Sequence, residues 1–206
     1  DGAKNANMNM LRIWGGGIYE SPHFYEACDR AGILVWHDFM FACAQYPDRD
    51  PHFHTMVREE AEAAIMLLRH HPCIAIWCGD NEDVEFIPNR WNIGKDANDP
   101  TLDPAGIIIF GQVLPDVCRA LDPERPYWPS TPCGGDKPQS EMSGDSHWWL
   151  WFDSNVERRI YHEIFEECKA RFVSEYGVIA PCHPDSIKQY LKPHDLKIGS
   201  RAWNEH

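Results

Sequence analysis

Short apolar runs, each closed by polar or aromatic residues and separated by helical patterns, constrain this chain most. MLRIW (10–14) is stopped by Gly15, Gly16 and Gly17. ILVW (33–36) ends at His37 and Asp38, and CIAIWCG (73–79) ends at Asp80, Asn81 and Glu82. Runs of this kind, apolar without alternation, read as strands buried on both faces. The spacing predicts a helix over 22–31, with Ser21 as cap, Pro22 at its first position and Gly32 past its end. A second helix is expected from Thr55 to about His71, where Pro72 stops it. Arg58 stands where a capping box after Thr55 needs Glu or Gln. Strands alternating with helices predict βα units and a parallel sheet.

The pattern continues. Residues 2–9 read as the tail of a helix, and a helix is expected over about 105–121. YWPS (127–130) is a short strand, 144–149 a weak one and RFVSEYG (171–177) a sixth. Val156, Ile160, Ile164 and Phe165 predict a helix over 155–169, and a last one covers about 184–191. A closed barrel of eight βα units takes about 250 residues; this chain has 206. The expected architecture is α/β, an incomplete (β/α)8 TIM barrel holding about strands two to seven, as one domain over 1–206. A smaller doubly wound sheet is the alternative. Neither GxGxxG nor GxxxxGK[ST] occurs to support a nucleotide-binding version.

Composition narrows the partners. The net charge of −13 argues against nucleic acid, whose phosphates need clustered Lys and Arg. It gives no reason to expect an anionic membrane surface, and no apolar run reaches the roughly 20 residues of a spanning helix. The eight Cys form no CxxC pair, and several sit in apolar runs, so they read as buried thiols. His52, His54, His70 and His71 invite a metal, but no HExxH is present and His70–His71 close a helix. Ser174 lacks the GxSxG elbow of a serine hydrolase. Nine Trp stand out. Flat rings with one wet face suit sugars, although a Trp-rich core is an equal reading.

In barrels of this kind, functional groups sit at the C-terminal ends of strands. That rule selects Arg12 and Trp14; Asp38; Asn81 and Glu82; His147, Trp148 and Trp149; Glu175 and Tyr176. Two carboxylates on separate strands, among aromatics, point to glycoside hydrolysis, where one is a protonated acid and the other an ionised nucleophile. A single Glu after an apolar run more often just meets solvent, as on the helix face of Glu59, Glu60 and Glu62. Asp38 equally suits a helix cap, and Tyr176 a core ring. Arg12 is harder to dismiss, because a buried guanidinium needs a carboxylate, for which the two glutamates are candidates.

The segments NANMNMLRIWGGGIYE, GILVWHDFMFACAQYP, RHHPCIAIWCGDNE, RPYWPSTP, GDSHWW and RFVSEYG occur in the order seen in glycoside hydrolase family 2. Together they cover nearly the whole chain and resemble its β-mannosidase branch. The resemblance implies a retaining exo-glycosidase acting on terminal β-mannosides through a glycosyl-enzyme. By position, Glu82 is the acid/base and Glu175 the nucleophile. Asn81 holds the sugar 2-hydroxyl, and Tyr176 hydrogen-bonds the nucleophile. Trp14, Trp77, Trp148 and Trp149 form the sugar platform, and His147 contacts a hydroxyl. No metal or organic cofactor is implied.

Asp80 stands where the branch commonly has Asn, and His147-Trp148-Trp149 replaces His-Tyr-Trp. The family's N-terminal β-sandwich domains and two barrel strands lie outside these residues. The open sheet edges favour a partner chain or homo-oligomer. The alternatives are another family 2 β-glycosidase specificity, or a non-catalytic carbohydrate-binding or structural fragment.

Overall fold

The computed structural model describes residues 1–83, 106, 108–134, 140–149, 166–177, 182–197 and 199–205. The helix expected over 155–169 lies outside them, apart from its last residues. The chain divides into two compact units: 1–147 with 168–174, and 148–167 with 175–206.

In the first unit, β1 (Met10–Ile13), β2 (Leu34–Asp38), β3 (Ile74–Cys78) and β4 (Tyr127–Trp128) form a parallel sheet in sequence order. Arg12 lies opposite Trp36, His37 opposite Trp77, and Asp38 opposite Cys78. A register shift between Val35 and Trp36 aligns β2 with β3. Parallel neighbours need crossovers, and helices supply them. After α1 (Gly2–Asn5), α2 (Pro22–Ala31) links β1 to β2, and α3 (Pro51–Leu68) links β2 to β3. α2 stops where expected, at Gly32 in a left-handed conformation (φ 66°).

One face of the sheet packs on these helices. Ile13, Val35, Ile74 and Trp77 meet Tyr25, Cys28, Val57, Ala61, Ile65 and Leu68 in one core. Val57, Ala61, Ala64, Ile65 and Leu68 make the buried stripe of α3, at helical spacing. The other face carries Arg12 and Asp38. Cys28, Cys73, Cys78 and Cys118 are buried thiols, as their apolar contexts imply. Among the described residues no helix is long and apolar enough to cross a membrane.

Three local expectations need correction. α3 begins at Pro51, not after Thr55: the Asp50 carboxylate accepts the His52 N–H at 2.8 Å and Pro51 takes the first position. The helix expected over about 105–121 is a π-helical turn (Ile109–Val113) followed by α4 (Leu114–Leu121). Pro115 has no N–H for the ladder, so the pattern changes there. Its start is capped by buried Asp48, which accepts the Ile108 and Ile109 N–H groups. Finally, β5 (Ser146–Trp148) and β6 (Val173–Tyr176) form a separate two-stranded sheet. Among the described residues no ladder joins them to β4, which gives way to Pro129, a residue that cannot donate.

Of the second unit the structure describes a few segments, including α5 (Pro184–Tyr190) and α6 (Arg201–Glu205). Ile187 and Leu191 are its buried apolar residues among those described.

Candidate active site

Arg12 and Asp38 organise the open face of the first sheet. They lie on neighbouring strands, Arg12 opposite Trp36 and Asp38 two residues beyond Trp36. Arg12 Nη2 lies 2.7 Å from Asp38 Oδ2 and also donates to Asn81 Oδ1 at 2.8 Å. Asp38 is wholly buried and accepts further hydrogen bonds from the Gly15 N–H (3.0 Å) and the Trp36 indole N–H (2.9 Å). The guanidinium therefore has Asp38 as a carboxylate partner. Asp38 itself is placed to hold Arg12 rather than a ligand.

Glu82 follows β3 in a tight turn and has a left-handed backbone (φ 68°). Such a conformation costs a non-glycine residue about 1–3 kcal/mol and persists only where surroundings enforce it. Here the Glu82 N–H donates to Thr131 O at 2.8 Å and the Asn81 N–H to Phe41 O at 3.0 Å. Asp80 Oδ1 accepts from the Asp83 N–H (2.9 Å) and the Ser130 hydroxyl (2.8 Å). Asp83 Oδ1 accepts from the Ala44 N–H at 2.8 Å. Both carboxyls are buried, each with its other oxygen unpartnered. Burial, then the neighbouring Asp83, pushes Asp80 well above the carboxylate range, and burial pushes Asp83 up to about 7. The two buried acids staple the turn through the Asp80 and Asp83 hydrogen bonds.

The Glu82 carboxyl meets His147 on β5, with Oε1 2.6 Å from Nδ1. The His147 ring is fully enclosed, and its Nε2 lies 2.9 Å from the Thr131 hydroxyl. Thr131 donates onward to Asp145 Oδ2 at 2.6 Å. Asp145 also accepts from the Trp128 indole (2.8 Å), the Cys133 N–H (2.8 Å) and the Ser174 hydroxyl. Cys43 Sγ touches Glu82 Oε2 at 3.4 Å.

In the second unit, Glu175 on β6 receives the Trp149 indole N–H at 2.8 Å. Tyr176, to which the resemblance gives a hydrogen bond with the nucleophile, is 64% exposed. The Trp148 indole N–H is buried without a partner.

The remaining expectations sort by burial. Trp14 is 46% exposed at the strand end, open enough for a platform. Trp77 is not: it is fully buried, stacks on Phe39 and donates to Asp122 Oδ2 at 2.9 Å. His147 is buried, with Glu82 at Nδ1 and the Thr131 hydroxyl at Nε2. Two of the four histidine candidates for metal are engaged otherwise: His54 with Asp48 O, His71 with Asp29. Sequence reasoning missed Thr131, Asp145 and Cys43. All three lie inside the quoted motifs, and the available signal was an acid two residues before His147.

No family model matches the chain. It is 41% identical to a beta-mannosidase B of Thermothelomyces thermophilus, over 90% of this chain and 22% of that protein. A beta-mannosidase B of Neosartorya fischeri is 36% identical, over 89% and 22%. The crystal structure of a beta-D-mannosidase from Dictyoglomus thermophilum is 42% identical and superposes with TM-score 0.83, covering 99% of this chain and 24% of that one. The chain thus spans about a fifth to a quarter of the length of the proteins it matches.

Proposed function

We propose, on the premise that this chain is a homologue of a segment of the β-mannosidases of glycoside hydrolase family 2, that it carries their hydrolytic centre and cleaves terminal β-D-mannosides with retention. Identity of 41% across nine-tenths of the chain to a named beta-mannosidase carries this reading. In the same reading the 206 residues are part of one catalytic domain, built as strands two to seven of a (β/α)8 barrel. Its open edges would be covered by further chain or by a partner.

The mechanism is double displacement. Glu175 attacks the anomeric carbon as Glu82 gives its proton to the departing glycosidic oxygen. Glu82 then takes a proton from water, whose oxygen displaces Glu175 and frees the sugar with its β configuration. The Trp149 indole N–H on Glu175 stabilises the ionised form the attack needs. Arg12 holds the Asn81 oxygen, so the amide hydrogens of Asn81 face the rest of the site and one can serve the 2-hydroxyl. Trp14, Trp148 and Trp149 would form the apolar sugar face.

The test is hydrolysis of p-nitrophenyl β-D-mannoside. The full chain should release nitrophenol and give β-mannose as first product by NMR. Glu175→Ala should lower turnover by about a thousandfold or more. A well-folded protein that binds mannose without turnover would instead support the non-catalytic reading. Preference for a β-glucoside or β-galactoside would replace the sugar while keeping the chemistry.

A further inference from the structure

Three non-glycine residues among those described have a positive φ: Asn7, Cys43 and Glu82. The last two meet. Cys43, in the loop after β2, donates from Sγ to Glu82 Oε2 at 3.4 Å. The same sulfur receives the Asn81 side-chain amide at 3.4 Å, and the Cys43 N–H donates to Asn81 O at 2.9 Å. Strained backbone concentrates where surroundings hold a side chain in a required place. Two strained residues whose side chains touch, with a third residue bridged between them, are not accounted for by packing: Cys43 reaches the surface.

We propose that Cys43 is a positioning residue, whose thiol holds the second oxygen of Glu82 and the amide of Asn81 so that one sulfur sets both side chains. This rests on the acid/base role proposed for Glu82. His147 occupies Oε1, so Cys43 completes the fixation of the carboxyl from the other side. Burial, then the Glu82 carboxylate, pushes the thiol up to about 12, which keeps the S–H present as a donor at neutral pH. A thiolate in its place would repel Glu82 and lose the contact.

Two measurements on the full chain test this. Alkylation of Cys43 by iodoacetamide is followed by peptide mass spectrometry, with the surface thiol Cys182 as internal reference. In Glu82→Gln the contact loses its charge, and Cys43 should react severalfold faster relative to Cys182. Equal relative rates in the two proteins overturn the contact, whether or not the chain turns over. The second measurement is kinetic. Cys43→Ala should lower kcat severalfold with KM and melting temperature nearly unchanged, and Cys43→Ser, which keeps a donor, should recover most of the loss. If Ala matches wild type, or Ser fails as badly as Ala, the positioning role is wrong. Absence of turnover in the wild-type chain would sink the hydrolase reading alone, since the alkylation result stands apart from it.

Discussion

Glu82 Oε1 and His147 Nδ1 lie 2.6 Å apart, and the far side of the ring fixes what passes between them. The Thr131 hydroxyl spends its hydrogen on Asp145, so its oxygen accepts from His147 Nε2–H. With Nε2 protonated, a neutral ring presents a bare Nδ1 to Glu82. One proton therefore sits between carboxyl and imidazole, the inventory an acid/base residue needs. His147→Ala should cut kcat by roughly tenfold to a hundredfold, the lower part of the range for acid–base help. Thr131→Val, which keeps the shape but frees the tautomer, should give a smaller loss. Steady-state kinetics on both variants check the order; a harmless His147→Ala would refute the link.

A second prediction concerns stability. Asp38 gathers Arg12, the Gly15 N–H and the Trp36 indole at a wholly buried carboxylate. Asp38→Ala takes the ion pair from a part-buried cation and the acceptor from two donors, which should cost about 3 kcal/mol. Urea denaturation would read this as a lower midpoint with an unchanged slope. A loss under 1 kcal/mol would mean that water reaches Arg12 freely.

Part of this was legible in the sequence. Apolar runs placed β1, β2 and β3, and the short YWPS run placed β4, because a strand packed on helices must be apolar along that face. The motifs around Glu82 and Glu175 singled them out among many carboxylates. Which tryptophan faces the site was not legible. Trp14 and Trp77 both close apolar runs, and strand parity alone separates them: Trp77 pairs with His37 on the helix-covered face, opposite to Arg12 and Asp38. The partner of Arg12 depended on the same register. Thr131, Asp145 and Cys43 act from loops, where no period marks a buried polar residue, and Asp50–Pro51 outcompeted Thr55 as a helix start by chemistry visible but passed over.

Acid should reveal a third effect. His37 is buried, held by the Tyr25 hydroxyl at 2.8 Å and the Asp38 carbonyl, and burial lowers it from 6.5 to about 4. Below pH 6.5 the unfolded chain takes up a proton that the folded one refuses, so stability falls as pH drops from 6.5 to 4, by roughly 3 kcal/mol in total. Asp83 runs the other way. Raised from 3.8 to about 7, it favours the fold when protonated, and stability falls as pH rises from 4 to 7, by up to about 4 kcal/mol. Relative to wild type, His37→Gln should therefore lose the acid-side decline and Asp83→Asn the neutral-side one. Denaturation at pH 4, 5.5 and 7 would show two difference curves of opposite slope; parallel curves would contradict both assignments.

The glycines after β1 separate binding from folding. A methyl group on Gly15 would come within 2.1 Å of the Phe41 carbonyl oxygen and 2.8 Å of that of Phe39. Backbone must move to admit it, and the Gly15 N–H would leave Asp38. Gly15→Ala should thus lower stability together with kcat. A methyl on Gly16 would instead first meet the Trp14 ring, at 2.2–2.6 Å. That ring is half exposed and can turn aside, at the cost of its orientation. If Trp14 is a sugar platform, Gly16→Ala should raise KM several-fold, leave kcat near wild type and leave the melting temperature within a few degrees. Tryptophan fluorescence quenching by mannose would weaken in parallel. A change in kcat with KM intact would place Trp14 outside the sugar site and leave its exposure unexplained.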